Sequence, residues 1–173
     1  ARFSSSDYFV IEADEYDTAF FDKRSKLVHY RPEVLIINNL EYDHADIFPD
    51  LAAIETQFHH VIRTIPQRGW LVVNGQEAAI DRVLQRGVWS HREAFNVPSG
   101  WEIDASGTIR YLGQLQGVLE WNLLGTHNQK NALAAIAAAY RIGVPVATAI
   151  HALQTFLGVK RRLDVRGIVG GVT

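Results

Sequence analysis

Short apolar runs that stop abruptly at polar or acidic residues set the rhythm of this chain. Asp7-Tyr8-Phe9-Val10-Ile11 and Val34-Leu35-Ile36-Ile37 are β-branched and aromatic without polar alternation, and they predict buried strands of a parallel sheet over 7–12 and 34–38. Trp70-Leu71-Val72-Val73 predicts a third strand that turns at Asn74-Gly75. Apolar residues at 51, 54, 58, 61 and 62 keep helical spacing, so a helix is expected from Asp50 onward, stopped by Pro66. Further helices are expected over 77–84, 127–142 and 145–157, closed by Gly87, Gly143 and Gly158. Residues 17–27 show no clear alternation and predict a loop with a short turn of helix. Residues 94–97, 101–104, 108–112 and 117–124 alternate between glycine breaks and predict an antiparallel meander, and 165–169 predicts a last strand. Strands alternating with helices give an α/β fold: a mostly parallel sheet flanked by helices, with a small antiparallel flap.

Composition narrows the function classes. The 173 residues suffice for one domain with a real core, and 47% hydrophobic with 21% charged residues is ordinary for a globular protein. A net charge of -2 gives no electrostatic case for nucleic acid or an anionic membrane as partner. There is no cysteine, which excludes disulfides and thiolate sites. No apolar run approaches the ~20 residues of a membrane helix, and no leader pattern opens the chain, so a cytoplasmic location is expected. The absence of methionine leads to the expectation that the chain is a piece of something longer.

The chemistry gathers where strands end. Val10-Ile11 runs into Glu12-Ala13-Asp14-Glu15-Tyr16-Asp17, and Ile36-Ile37 into Asn38-Asn39-Leu40-Glu41-Tyr42-Asp43-His44-Ala45-Asp46. In open α/β sheets, ligands bind beyond the carboxyl ends of the strands. Glu12 and His44 at that edge are candidate ligands for a divalent cation, the partner of phosphates in phosphoryl transfer. Taken singly, each also reads as a solvated acid or a surface charge cluster. Gly125-Thr126-His127-Asn128 opens an alanine-rich helix, and amides at a helix start suit an anion or nucleotide. Asn128 and Asn131, three apart, share one helical face, although Thr126 or Asn128 also serves as a plain cap. Arg161 and Arg162 offer guanidinium forks for phosphate, or form an exposed basic turn. His59 and His60 are adjacent on a helix, so they do not share a metal. No Gly-x-x-x-x-Gly-Lys-Ser/Thr phosphate loop occurs in the sequence.

In order, Glu12-Ala13-Asp14-Glu15-x-Asp17, Asn39-x-Glu41-x-Asp43-His44-x-Asp46, His127-Asn128-x-x-Asn131 and Arg161-Arg162 resemble the central domain of the Mur ligases, across nearly the whole chain. The resemblance implies a P-loop-like fold over 1–167 whose phosphate loop lies upstream, with 168–173 starting the linker to an acceptor domain. It implies an ATP-dependent ligase of cell-wall building that activates a carboxylate as an acyl phosphate for attack by an amine. In that scheme Glu12 and His44 hold Mg2+, Asn128 and Asn131 touch the nucleotide, and Arg161 or Arg162 reaches the phosphates, Arg162 with a catalytic role. Residues 14–26 with 38–48 are most similar to the recycling branch of the family, which joins UDP-N-acetylmuramate to the murein tripeptide L-alanyl-γ-D-glutamyl-meso-diaminopimelate. The L-alanine-adding branch is the alternative, and a non-catalytic nucleotide or UDP-sugar binding module is another. Several relatives carry a modified lysine in the helix after the histidine motif. Residues 50–65 contain none. The 173 residues alone are expected to be inactive, the N- and C-terminal domains of the same chain being absent.

Overall fold

The structure is a computed structural model that describes residues 6–42, 47–121, 123 and 125–158. His44, Arg161, Arg162, the expected strand 165–169 and the expected linker 168–173 lie outside the described residues.

A six-stranded sheet forms the centre, in the order β3 (Val34–Ile37), β4 (Trp70–Asn74), β5 (His91–Phe95), β6 (Trp101–Ile103), β7 (Thr108–Tyr111), β8 (Gln114–Val118). A separate hairpin, β1 (Asp17–Ala19) with β2 (Asp22–Ser25), and a four-residue helix α1 (Leu27–Tyr30) precede it. Strands β3, β4 and β5 run parallel, with Val34 to Ile37 facing Trp70 to Val73 in register. Their crossovers are α2 (Leu51–Ile62) and α3 (Ala78–Gln85). Helices α4 (Thr126–Arg141) and α5 (Val146–Gln154) follow the flap.

The alternation of β4 explains the layering. Leu71 and Val73 turn to one face, where they bury Ile54 and Ile62 of α2 and Ile80 and Val83 of α3. Val72 turns to the other and meets Leu133, Ile136 and Ala137 of α4, with Phe95, Trp101 and Ile109 beside it. A strand covered on both faces must be apolar throughout, and β4 is fully buried from Leu71 to Asn74. Asp50 starts α2 by accepting the Ala53 N–H at 2.8 Å on its side-chain oxygen. Glu55 of α2, itself buried, holds α3 through Arg82 at 2.6 Å and Arg86 at 3.2 Å.

Three expectations are corrected. Residues 7–12 are not a buried strand: they pair with no strand among the described residues, and Tyr8, Phe9, Val10 and Ile11 are 52%, 59%, 88% and 49% exposed. A β-rich run becomes a strand only against a neighbour, and the edge strand β3 pairs only with β4 among the described residues. Residues 17–25 form a hairpin rather than a loop: β1 and β2 pair antiparallel, and the Thr18 hydroxyl donates across to the Arg24 carbonyl at 2.9 Å. The first strand of the expected meander, β5, begins at His91 and runs parallel to β4 and to β6; within this sheet the β6–β7 and β7–β8 pairings are the antiparallel ones.

Candidate functional site at the carboxyl edge of the sheet

Strands β3, β4 and β5 each end on asparagine. Asn38 follows β3, Asn74 closes β4, and Asn96 follows β5. The last two are joined to each other. Asn74 Oδ1 accepts from the Gln76 backbone at 3.2 Å and from Asn96 Nδ2 at 3.1 Å, and Asn96 Nδ2 also reaches Gln76 Oε1 at 2.9 Å. This cluster uses its own polar groups to stitch β4 to β5. Asn38 does something different: its Nδ2 donates to Oδ1 of Asn131 on α4, tying the end of β3 to the start of that helix.

The start of α4 is built for access. Gly125 sits at φ +95, a conformation L side chains rarely adopt, and a Cβ there would lie 2.7 Å from the His127 ring. Its carbonyl accepts the Asn128 and Gln129 N–H groups at 3.1 and 3.4 Å, which opens the helix without a side-chain cap. The cap position is therefore Gly125, not Thr126 or Asn128. His127 and Asn131 are exposed and Asn128 is half-buried. Beside this end, Ser106, Gly107, Trp121, Leu123 and Gln129 line a cavity of about 270 Å³.

Glu12 lies exposed in the segment 7–12, outside any strand or helix. That segment is held at Tyr8, whose hydroxyl donates to the Ile142 carbonyl at 3.4 Å, at the far end of α4. Further along the acidic run, Asp14 meets Lys26 at 3.9 Å, and the Lys26 ammonium sits 5.3 Å over the Tyr16 ring. Asp22 is held far below the usual carboxylate range by hydrogen bonds from Arg24. Among the described residues no group of three or more His, Asp or Glu could hold a metal ion. A single exposed carboxylate still fits magnesium, which binds through one or two carboxylates, substrate phosphates and water. His59 stays below its ordinary value through burial and the nearby Arg63 and Arg86 charges, and its ring packs 5.9 Å from Trp89.

Of the residues singled out from the sequence, the structure thus brings Asn131 to the carboxyl edge of β3 and puts Asn128 one turn before it. Glu12 is left on an exposed segment, and His44, Arg161 and Arg162 are outside the described residues. Asn38, Asn74 and Asn96 were missed. The available signal was a polar residue ending each buried apolar run.

Residues 2–139 match the Mur ligase middle domain. The chain belongs to that family. Its sequence is 48% identical, over all of this chain and 40% of the relative, to UDP-N-acetylmuramate--L-alanyl-gamma-D-glutamyl-meso-2,6-diaminoheptandioate ligase of Haemophilus influenzae. It is 33% identical, over 99% of this chain and 35% of the relative, to UDP-N-acetylmuramate--L-alanine ligase of Salinispora arenicola. The crystal structure of UDP-N-acetylmuramate:L-alanyl-gamma-D-glutamyl-meso-diaminopimelate ligase from Neisseria meningitides superposes with a TM-score of 0.84 at 52% identity, over 91% of this chain and 50% of that one. The chain thus spans about two fifths of the length of the H. influenzae relative. The three-layer arrangement with its antiparallel flap is that of a Mur ligase middle domain, and no helix among its described residues is long and apolar enough to cross a membrane.

Proposed function

We propose that this chain is the nucleotide-binding part of an ATP-dependent ligase that joins UDP-N-acetylmuramate to L-alanyl-γ-D-glutamyl-meso-diaminopimelate. The observation that carries the reading is the gap in identity: 48% to a relative named for the tripeptide, against 33% to one named for L-alanine, each over nearly the whole chain. The reaction activates the muramate carboxylate as an acyl phosphate, which the amine of the tripeptide attacks. Asn128 and Asn131 hold the nucleotide base, an assignment supported by their place on one face at the start of α4, where Asn131 is exposed and Asn128 half-buried. Arg161 and Arg162 reach the phosphates, and Arg162 stabilises the charge that develops as the phosphoryl group moves. Glu12 and His44 hold magnesium, which neutralises phosphate charge when bound.

The test is an assay of the intact ligase with ATP, magnesium, UDP-N-acetylmuramate and either the tripeptide or L-alanine. ADP release with the tripeptide and little with L-alanine is expected. Preference for L-alanine makes it the alanine-adding enzyme, and tight nucleotide binding without turnover on either acceptor makes it a binding module. The 173 residues alone should release no phosphate from ATP, since no phosphate loop is present in them to position it.

A further inference from the structure

Asn38 and Asn131 stand 93 residues apart in sequence and meet across the end of the sheet. A primary amide has a donor end and an acceptor end, and the two are nearly the same shape. An exposed asparagine left to itself presents either end to a ligand. Asn131 is exposed, yet it is not left to itself: its Oδ1 is taken by Asn38 Nδ2. Among the described residues its own Nδ2 meets no hydrogen-bond partner, so the donor is the end left for a ligand. Asn38 is half-buried at the close of β3, a strand fixed in register against β4, so the group that sets this choice sits on a rigid element.

We propose that Asn38 is a positioning residue for nucleotide recognition: by holding Oδ1 of Asn131, it aims the Asn131 Nδ2 donor at a lone-pair nitrogen of the adenine ring. The inference rests on the reading of Asn131 as a nucleotide contact, and it adds what the contact is and which residue sets its polarity. Adenine suits such a donor, since its ring nitrogens N1, N3 and N7 are acceptors.

The experiment is equilibrium binding to the intact ligase of ATP and of its 1-deaza, 3-deaza and 7-deaza analogues, each lacking one acceptor. In the wild-type protein one analogue should bind about tenfold more weakly than ATP, the loss expected for one missing hydrogen bond to a preset donor. Asn131→Asp keeps an acceptor for Asn38 but removes the donor, and should bind ATP about tenfold more weakly with that analogue no longer distinguished. Asn38→Asp places a carboxylate against Oδ1 and turns the Asn131 amide over, so it should weaken ATP and close the analogue gap. Asn38→Leu removes the hold without introducing charge and should narrow the gap with the thermal midpoint unchanged, which decides the matter if the aspartate variant folds poorly. If the Asn131 variant binds ATP like wild type, the nucleotide reading of Asn131 fails and the proposal with it. If the Asn131 variant loses binding while both Asn38 variants keep the wild-type gap, Asn38 positions nothing and the parent reading stands. If no deaza analogue is distinguished by the wild-type protein, the donor does not address a ring nitrogen and the proposal is overturned.

Discussion

Helix α4 has two unlike ends. Its C-terminal end is wedged: Arg141 pairs with the buried carboxylate of Glu93 on β5 and donates to the Tyr111 hydroxyl at 2.7 Å. The same guanidinium lies 3.9 Å over the Trp70 ring and 5.0 Å from Tyr140, while Tyr111 stacks on the buried Trp101 at 4.5 Å. Burial pulls Arg141 below its ordinary value. The N-terminal end begins at Gly125 without a side-chain cap, exposes His127 and Asn131, and is tied to the sheet by the bond from Asn38. Between them, Leu133, Ile136 and Ala137 are fully buried. A helix fixed at one end and along its middle holds the exposed side chains of the other end, His127 and Asn131, in a fixed place. Polar groups there remain available to a ligand, as sites placed on rigid elements require.

The strongest way to break this contrast is at the wedged end. Arg141→Ala leaves the Glu93 carboxylate buried without its partner, and the expected loss is roughly 3–5 kcal/mol of folding stability. Urea unfolding followed by tryptophan fluorescence reads it, since Trp70 lies against the guanidinium. Pairing Arg141→Met with Glu93→Leu removes both charges and should restore most of the loss. A single variant as stable as wild type would show that the ion pair anchors nothing.

The open end should respond in the opposite sense. Asn131→Ala in the intact ligase is expected to weaken ATP binding by about 1–1.5 kcal/mol, close to tenfold, because one hydrogen bond to the nucleotide is lost. The thermal midpoint should stay within a degree or two, since an exposed side chain with one surface bond adds little to stability. A large drop in midpoint with unchanged affinity would reverse the roles assigned to the two ends.

The wedge and the open end were unequally visible in the sequence. The extent of α4 followed from its alanine-rich run and from Gly143, which takes φ +87 as a helix stop requires. The face carrying Asn128 and Asn131 followed from helical geometry alone. Arg141, Glu93, Trp70 and Tyr111 lie on four different elements, and nothing local to any of them announces that they converge. The same holds for Asn38 and Asn131. Residues 7–11 and 34–37 were alike in pattern yet differ in fate, because a strand is decided by its neighbour and not by its own residues. The parallel course of β5 escaped for a related reason: alternation reports which face is buried, not the direction of the adjacent strand.

The smallest effect concerns the turn beside the open end. Asp104 closes the β6–β7 turn by accepting from the Ser106 hydroxyl at 2.5 Å, the Ser106 N–H at 2.9 Å and the Thr108 N–H at 3.0 Å, with Arg110 at 3.3 Å. These bonds, the Ser106 hydroxyl foremost, hold its carboxyl down to about 2 from the usual 3.8. A carboxyl held low in the folded chain adds stability that is fully present above 3.8 and is lost as pH falls through about 2. Asp104→Asn keeps an acceptor but cannot titrate, so its thermal midpoint should fall less steeply than that of wild type across that window. Above it the two should differ little, because the group is exposed and its bonds are screened by water. Since Ser106 and Gly107 border the same cavity as Gln129 of α4, amide exchange at Ser106 and Thr108 should quicken in wild type at the acid end and change less in the variant. Midpoint curves that run parallel through the window would mean that the turn keeps its geometry without the carboxylate, and that the open end of α4 is shaped by Gly125 and Asn38 alone.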